Sequence, residues 1–460
     1  MKSKIIYIIL TAAALLSCEK QDRWLDKKAN KSDIVPTTIA DFQLIMNNTD
    51  IMNDRYGSYG TISSDNFYIT YANWQSAFSN AERNAYVWAT EIYEGGNSID
   101  WDLGYQRIVF SNIVLDGLAK IAINQSNQAE WNRLKGTALF YRGLNFFELV
   151  QTFSKAYDIN TSKEDLGIVL RLTSDINEKS VRASVQKSYD QLLSDLLAAE
   201  PLLPQFPQLK TQPSKIAVHG VLSRIFLCMG NYEKAHHYAD LALKAYSDLI
   251  DFNTLSTTQP APFPTFQLDN REVLFYCTGA SWGSTNFSRL RVDENLYASY
   301  VNGDLRKLVF YNNNGNNGIA FKGTYTGVTG VNFYGVAVNE LYLIRAEASA
   351  GLRNASAATE DLNTLLRTRW NKNSTYPVFE TVDADVAMAK ILDERRKEIP
   401  FWGARRWQDL KRLNKMPAFQ KTLTRNLNGT IYTLPPNDPR YVYALPDIEI
   451  RLNGLPQNKR

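Results

Sequence analysis

Apolar residues recur at helical spacing through the middle of the chain and predict a pair of helices. The first follows a predicted N-cap at Ser214, and one of its faces carries Val218, Leu222, Ile225, Phe226 and Met229. Gly230 and Asn231 then interrupt the pattern. The next segment places small residues on one face, at Ala235, Ala239 and Ala242, which lets two helices approach closely. The pair, near 214–248, is typical of a tetratricopeptide repeat.

A second copy of this pattern lies at 338–370, with its turn at Gly351 to Asn354. The turns at Gly351 and Gly230 are 121 residues apart, far more than the period of a tandem repeat, so the sequence predicts an insertion between the two pairs. Weaker periodicity predicts further hairpins near 130–203 and 385–413. The expected scaffold is therefore mainly α, with about four helical hairpins.

Two regions, 54–104 and 255–336, differ from this scaffold because they are rich in turns and aromatic residues. Residues 255–336 mix Pro, Thr, Asn and Gly with short β-like pieces such as REVLFYC and GVNFYGVAV. Long loops on a rigid scaffold commonly carry function. We therefore expect the ligand region in these two segments, inside one large domain spanning 35–460.

The N-terminus combines the basic start MKSK with the apolar run IIYIILTAAALL, which is too short to span a bilayer. Ser17 and Cys18 follow and resemble a lipobox, which implies a signal peptide over 1–17 and lipidation of Cys18. The alternatives are an ordinary signal peptide and a buried N-terminal segment. The polar residues that follow, within 18–34, predict a flexible tether between the anchor and the domain.

Charge and cysteine content narrow the function classes. The formal net charge is +4, and loss of Lys2 and Lys4 with the signal would reduce it to +2, so nothing favours nucleic acid as a partner.

After lipidation only Cys228 and Cys277 remain. A disulfide between them and two free thiols are both compatible with the sequence, and the surroundings of Cys228 favour a buried small hydrophobe.

The candidate chemistry is aromatic. Trp, Tyr and Phe make up 12% of the chain, and rings beside amides suit sugars, because a ring stacks on the apolar face of a pyranose while amides bind its hydroxyls. Trp282 lies in a Gly/Ser loop and Trp74 in a polar segment, whereas the helix-start context of Trp101 favours a core role. The predicted ligand-binding residues are Trp74, Trp282, Tyr71, Asn73, Trp101, Asn286 and Arg289, with Asp65 as a further hydrogen-bonding candidate.

The sequence gives little support for a catalytic or metal site. A pair of carboxylates could be nominated for glycoside hydrolysis, but with 47 acidic residues such a nomination carries little information. His236 and His237 are adjacent on a predicted helix, point to different faces and make a poor metal pair. The sequence carries no nucleophile motif, phosphate loop or metal-ligand spacing. We therefore expect a protein without catalysis, metal or cofactor.

Taken in order along the chain, these segments resemble the SusD/RagB family of surface glycan-binding lipoproteins. The similar stretches are the Cys18 lipobox, WDLGYQRIVFSNIVLDGL, LKGTALFYRGLNFFELVQTF, DENLYASYVNGDLRK, LDERRKEIPFWGARRWQDLKRLN and YALPDIEIRLNGLPQN. The chain departs from the family in one extra residue after Gly403 and in its QNKR ending. Within the C-terminal signature, the charged residues predict an ion-pair network joining helices: Glu394, Arg395, Arg396, Glu398 and Asp409.

The resemblance implies a SusD-like fold with the helical hairpins as scaffold and loop-rich insertions carrying small β elements. It also implies a non-catalytic protein, lipid-anchored at the outer membrane and facing the exterior, that delivers an oligosaccharide to a SusC-like TonB-dependent transporter. The family's motifs are scaffold motifs, so the resemblance transfers no ligand residue. The alternative function is a tetratricopeptide-type interaction lid for a non-glycan cargo such as peptide.

Overall fold

The computed structural model describes residues 35–315 and 318–460. The predicted signal peptide, the lipidation site Cys18 and the tether therefore lie outside the described residues. Among the residues that are described, no helix combines the length and the apolar character needed to cross a membrane.

The described residues are mainly helical. The α-helices are α1 Ile39–Met46, α2 Thr49–Met52, α3 Ser58–Ser63, α4 Tyr71–Gln75, α5 Asn80–Tyr86, α6 Ile99–Leu118, α7 Gln128–Phe153, α8 Val185–Ala199, α9 Lys215–Cys228, α10 Tyr232–Ala245, α11 Glu294–Ala298, α12 Arg306–Phe310, α13 Val338–Gly351, α14 Ala355–Arg367, α15 Ala384–Glu398, α16 Arg405–Leu413 and α17 Asp447–Asn453. The mainly α fold predicted from the sequence is thereby confirmed.

The β structure of the described residues consists of short antiparallel pairs, most of them formed by the predicted loop-rich regions and two of them, near 166–184 and 423–434, outside those regions. The strands are β1 Phe67–Tyr68, β2 Leu166–Val169, β3 Arg182–Ser184, β4 Val273–Phe275, β5 Thr278–Gly279, β6 Arg291–Val292, β7 Tyr311–Asn313, β8 Ile319–Phe321, β9 Asn332–Phe333, β10 Val336–Ala337, β11 Leu423–Leu427 and β12 Thr430–Leu434. They pair as β1–β6, β2–β3, β4–β10, β5–β9, β7–β8 and β11–β12. The pair β1–β6 matters for the site because it joins the two loop-rich regions.

Consecutive helices pack side by side and form the core. Helix α7 packs against both α6 and α8, α9 packs against α10, and α13 packs against α14. The two copies of the predicted repeat also touch, because α10 packs against α13. At this contact a Cβ on Gly351 would come within 2.3 Å of the Tyr232 ring, so glycine allows the close approach. The insertion thus separates, along the sequence, two helix pairs that are neighbours in space. Their assignment as tetratricopeptide repeats stays a prediction.

The prediction that the two helices within 385–413 pack side by side as a hairpin is wrong. Helix α15 packs against α13 and α14, whereas α16 packs against α3 and α9. The connection turns sharply at Gly403, whose φ is +50°. A Cβ at this position would clash with the Tyr334 ring. The two helices are joined instead through an ion pair, in which Arg395 Nε lies 2.9 Å from a carboxylate oxygen of Asp409.

The predicted ion-pair network is confirmed and is almost wholly buried. Arg306 contacts Glu394 at 2.6 Å and Glu398 at 3.2 Å, and Glu398 also contacts Arg369 at 2.9 Å. Arg396 pairs with Asp293 at 3.1 Å. Because each carboxylate contacts a guanidinium group, the cost of burying the charges is offset locally. These residues hold α12, α15 and the segment that follows α14 together. Cys228 and Cys277 are both buried free thiols.

Candidate functional site

The two loop-rich regions meet at one surface. The side-chain amide of Asn73 donates a hydrogen bond of 3.2 Å to the backbone carbonyl of Arg289. The Arg289 guanidinium in turn donates to the backbone carbonyl of Ser76 at 3.4 Å. The structure therefore brings the predicted residues around Trp74 together with those around Arg289, although they lie more than two hundred positions apart.

Helix α4 presents two aromatic rings at this surface. Thr70 begins the helix, since its hydroxyl oxygen accepts the backbone N–H of Asn73 at 3.2 Å. Tyr71 and Trp74 are one turn apart, and their rings stack with centroids 5.8 Å apart and an interplanar angle of 27°. The indole N–H of Trp74 donates to the backbone carbonyl of Arg83 at 3.1 Å, which fixes the edge of the ring. Tyr71 is exposed and Trp74 half-buried.

A third ring, Phe78, lies just beyond the helix and is the most exposed aromatic side chain of the region, at 76%. The Arg289 guanidinium lies 5.5 Å from the centroid of this ring. A Cβ on Gly283 would lie 3.1 Å from it, so the ring rests against the loop that follows Trp282. One exposed apolar ring is ordinary, but exposed rings grouped on one surface commonly mark a binding site. We call Tyr71, Trp74 and Phe78 the aromatic platform.

A buried carboxylate supports the platform from below. Glu82, at the start of α5, accepts the backbone N–H of Phe78 at 2.9 Å and also that of Ser284. The hydroxyl oxygen of Ser79 accepts the backbone N–H of Glu82 at 3.1 Å and begins the helix. Since one carboxylate binds both loops, the position of Phe78 relative to residues 283–289 is set by Glu82.

Trp282 lies beside this surface but is partly covered by α3. Its indole N–H donates to the Ser58 hydroxyl at 2.7 Å, and its ring lies 5.6 Å from that of Tyr59. The Asp100 carboxylate accepts the backbone N–H groups of Ser58 and Tyr59 at 2.9 and 3.0 Å. Burial raises the pKa of Asp100 to about 6, although the two N–H groups oppose this rise. Trp282 is thus held rigidly at the border of the platform.

The other predicted residues take different places. Asn286 is exposed, and its side-chain oxygen accepts the N–H and hydroxyl of Ser288 at 2.9 and 2.7 Å, which folds the local turn. Trp101 is only 5% exposed, with its ring 5.1 Å from that of Phe153. Its expected role in binding is corrected: the ring fills the core and offers no free face. Asp65 is paired with Arg406 at 2.6 Å, so it too is structural.

Comparisons with known proteins bear on the fold and the family. A family model described as "Starch-binding associating with outer membrane" matches residues 23–227, and a second, described as the SusD family, matches residues 267–454. The chain belongs to the SusD family. The resemblance drawn from the sequence motifs is confirmed, and the two matches together span most of this SusD-family protein. No curated protein matches the chain.

Solved structures share the fold of this SusD-family protein at low sequence identity. A putative sugar binding protein from Bacteroides vulgatus has a TM-score of 0.74 and 20% identity, covering 93% of this chain and 99% of its own. A SusD superfamily protein from Bacteroides thetaiotaomicron has a TM-score of 0.74 and 21% identity, with coverages of 92% and 100%. A SusD-like carbohydrate binding protein from Bacteroides vulgatus has a TM-score of 0.70 and 21% identity, with coverages of 91% and 97%.

Two members of the candidate site, Phe78 and Glu82, were not predicted from the sequence. Phe78 stands in the polar stretch QSAFSNAER, and the criterion that selected Trp282, a large ring in polar surroundings, applies to it equally. Glu82 carries no comparable signal. Its role depends on a contact with Ser284, which lies 202 positions away. Local sequence shows its place in the first turn of a helix and nothing more.

Proposed function

We propose that the protein is a non-catalytic receptor that binds an oligosaccharide at the aromatic platform. The observation that carries the proposal is Phe78, a ring left 76% exposed between the Arg289 guanidinium and the Gly283 loop. Tyr71 and Trp74 extend the aromatic surface along α4. The family description, starch-binding, and the sugar-binding descriptions of the similar structures support the same ligand class.

The chemistry of the platform suits a sugar. Ring faces stack on the C–H face of a pyranose, while amide and guanidinium groups bind its hydroxyls. Two such groups contact the rings: the Gln75 amide donates to the Tyr71 hydroxyl at 2.9 Å, and the Arg289 guanidinium lies 5.5 Å from the centroid of the Phe78 ring. Because the surface is shallow and open, each sugar ring contributes little, and we expect modest affinity that grows with chain length. Catalysis, a metal and a cofactor play no part in this proposal.

The proposal includes the place of the protein in the cell and its partner. Lipidation at Cys18 anchors the mature chain to the outer membrane, where the domain faces the exterior and delivers its ligand to a SusC-like TonB-dependent transporter. The family description, association with the outer membrane, supports the location. We propose the transporter as the partner because the chain resembles the SusD/RagB family.

A glycan-array screen of the purified protein tests the ligand class. We expect binding to plant, host or microbial oligosaccharides that is lost in a Trp74→Ala, Phe78→Ala double variant. The matched control is Trp131→Ala on α7, because Trp131 is also half-buried and its indole N–H also donates to a backbone carbonyl, that of Leu118, at 3.0 Å. The control should bind like the wild type.

The second candidate function is a transporter lid for a non-glycan cargo such as peptide. The packed helix pairs favour it, since such pairs commonly carry protein-binding surfaces. A silent array together with a transporter that copurifies from detergent-solubilised outer membranes would select this function. If neither a glycan nor a transporter bound, both functions would be abandoned.

A further inference from the structure

A large cavity lies away from the aromatic platform. Its volume is about 730 Å³, within the ~300–1,000 Å³ typical of small-molecule pockets. Four segments line it: residues 155–166 after α7, 411–415 at the end of α16, 437–442 after β12, and 457–459 near the C-terminus. None of these segments contributes to the platform, so the cavity requires an explanation of its own.

Four lysines and four carboxylates line the cavity, so its formal charges balance. Lys155 lies 2.6 Å from Asp165, and Lys415 lies 2.8 Å from Asp158. Lys411 donates to the backbone carbonyl of Ser154 at 2.7 Å, and burial lowers the pKa of its amino group to about 7. Since Lys155 and Lys415 face carboxylates, Lys411 loses charge near neutral pH, and the fourth lining lysine, Lys459, is matched in number by Glu164, the cavity offers no excess of positive charge to an anion.

The remaining wall combines amide side chains with apolar residues. The amide side chains lining the cavity are Asn414, Asn437, Gln457 and Asn458. Two lining residues also carry buried polar atoms without a hydrogen-bond partner in the described part of the chain, the Nδ2 of Asn414 and the hydroxyl of Tyr441.

We propose that this cavity, the C-terminal cavity, is a second binding site that takes an uncharged polyhydroxylated ligand, a short segment of a sugar chain. The amides of Gln457 and Asn458 already bond backbone groups, so the exposed lining side chains of Glu164 and Lys459 supply an acceptor and a donor to hydroxyls. The apolar lining residues Ala156, Leu166, Pro439 and Val442 receive its C–H faces. The ligand class rests on the proposed function. The site itself does not, because it shares no residue with the platform.

The test compares sugars and an anion in crystals and in solution. Crystals of the protein are soaked separately with glucose, galactose, mannose, N-acetylglucosamine, their disaccharides and sulfate, and each sugar is titrated calorimetrically. Ala156→Trp fills the cavity and should abolish sugar binding there. The matched control is Ile159→Trp, which adds the same ring at a position that is 72% exposed and does not line the cavity.

A second variant keeps the test valid if Ala156→Trp does not fold. Glu164→Ala combined with Lys459→Ala removes two exposed lining side chains and should weaken sugar binding about threefold or more. The Trp74→Ala, Phe78→Ala double variant should leave cavity binding unchanged.

The outcomes separate the two sites. Sugar density in the cavity that Ala156→Trp removes supports the second site, even if the platform stays empty and the proposed platform fails. Sugar on the platform alone overturns the second site and leaves the proposed function intact. Sulfate bound in the cavity in place of every sugar overturns the ligand class. A protein that binds no sugar at either place overturns both proposals.

Discussion

The side-chain amide of Asn73 donates a hydrogen bond of 3.2 Å to the backbone carbonyl of Arg289, 216 positions further along the chain. This contact joins α4, which carries Tyr71 and Trp74, to the loop whose guanidinium group lies over Phe78. The platform is therefore assembled from two distant segments, and its shape depends on their alignment.

We expect Asn73→Ala to weaken oligosaccharide binding through this alignment. Loss of one partly exposed hydrogen bond is worth about 1 kcal/mol, which corresponds to roughly fivefold in affinity. The melting temperature should change little, because α4 lies at the surface. Calorimetric titration with an oligosaccharide identified on the array measures the effect. The control is Asn177→Ala, an exposed loop amide that bonds Asp175. Unchanged affinity in Asn73→Ala would contradict the alignment argument.

Phe78→Ala should lower affinity without lowering stability. The ring is 76% exposed, so its removal leaves little cavity in the core, whereas a lost stacking contact is worth about 0.5–1.5 kcal/mol, or roughly twofold to tenfold in affinity. Titration and thermal unfolding of the same preparation separate the two effects. Phe206→Ala, at a ring that is 50% exposed and lies outside the platform, is the matched control. A lower melting temperature with unchanged affinity would show that Phe78 is structural.

Local periodicity predicted the helices well because helix formation depends mainly on neighbours three and four positions away. The turn at Gly230 and the cap at Ser214 stand where the sequence places them, and the Ser214 hydroxyl accepts a backbone N–H of its helix. The contact between Gly351 and Tyr232 could not be predicted in the same way. It joins two helices separated by the long insertion, and periodicity gives no partner for a helix face.

The error at 385–413 has the same origin. Both helices were predicted, but neighbouring helices were assumed to pack together, and α16 instead packs against α3 and α9. The information that periodicity lacks, which partner each helix packs against, lies in how the charged residues pair. Arg405 contacts Glu148 at 3.2 Å and the backbone carbonyl of Tyr334 at 3.1 Å, which draws the start of α16 into the core. Sequence alone shows a charged helix and does not show which acids lie opposite.

The exposure of the tryptophan rings was the least well predicted property of the site. Trp74, Trp101 and Trp282 were all proposed as ligand residues, although the helix-start context of Trp101 favours a core role, and Trp101 is buried while the other two are half-buried. The difference comes from packing: Trp101 begins the long helix α6 and contacts Phe153 on α7. A ring's burial depends on which helix covers it, and that is a tertiary property.

The stability of the scaffold should depend strongly on Arg306. Its guanidinium group contacts Asp304 at 2.7 Å, Glu394 at 2.6 Å and Glu398 at 3.2 Å, and its side chain is 2% exposed. Arg306→Met would leave these carboxylates partly uncompensated, at a cost of about 3–5 kcal/mol in the free energy of unfolding. Urea unfolding measures the loss.

The matched control for Arg306→Met is Arg353→Met, because Arg353 also pairs with a carboxylate, that of Asp385, but at an exposed position. This pair is surrounded by water, so its removal should leave the urea midpoint unchanged within error. If both variants lowered the midpoint equally, burial of the Arg306 network would not explain its contribution.

The pH dependence of stability should reflect Glu340. Burial opposes its ionisation, but the Arg224 and Arg395 guanidinium groups, at 2.5 and 3.2 Å, outweigh burial and hold its pKa at about 2, below the usual 4.5. A lowered folded-state pKa means that the unfolded chain binds the proton first as pH falls. The stabilisation, about 3 kcal/mol, is therefore complete above the usual value and is lost progressively as pH falls from about 4.5 through 2.

Glu340→Gln tests this assignment because the amide cannot titrate. The free energy of unfolding, measured by urea at pH values from 6 to 3, should differ most from the wild type at pH 6, and the difference should shrink toward pH 3. Glu360→Gln, at an exposed glutamate on α14, should give a curve parallel to that of the wild type. A difference between Glu340→Gln and the wild type that stays constant with pH would mean that the carboxylate contributes packing and hydrogen bonds but no titrating charge.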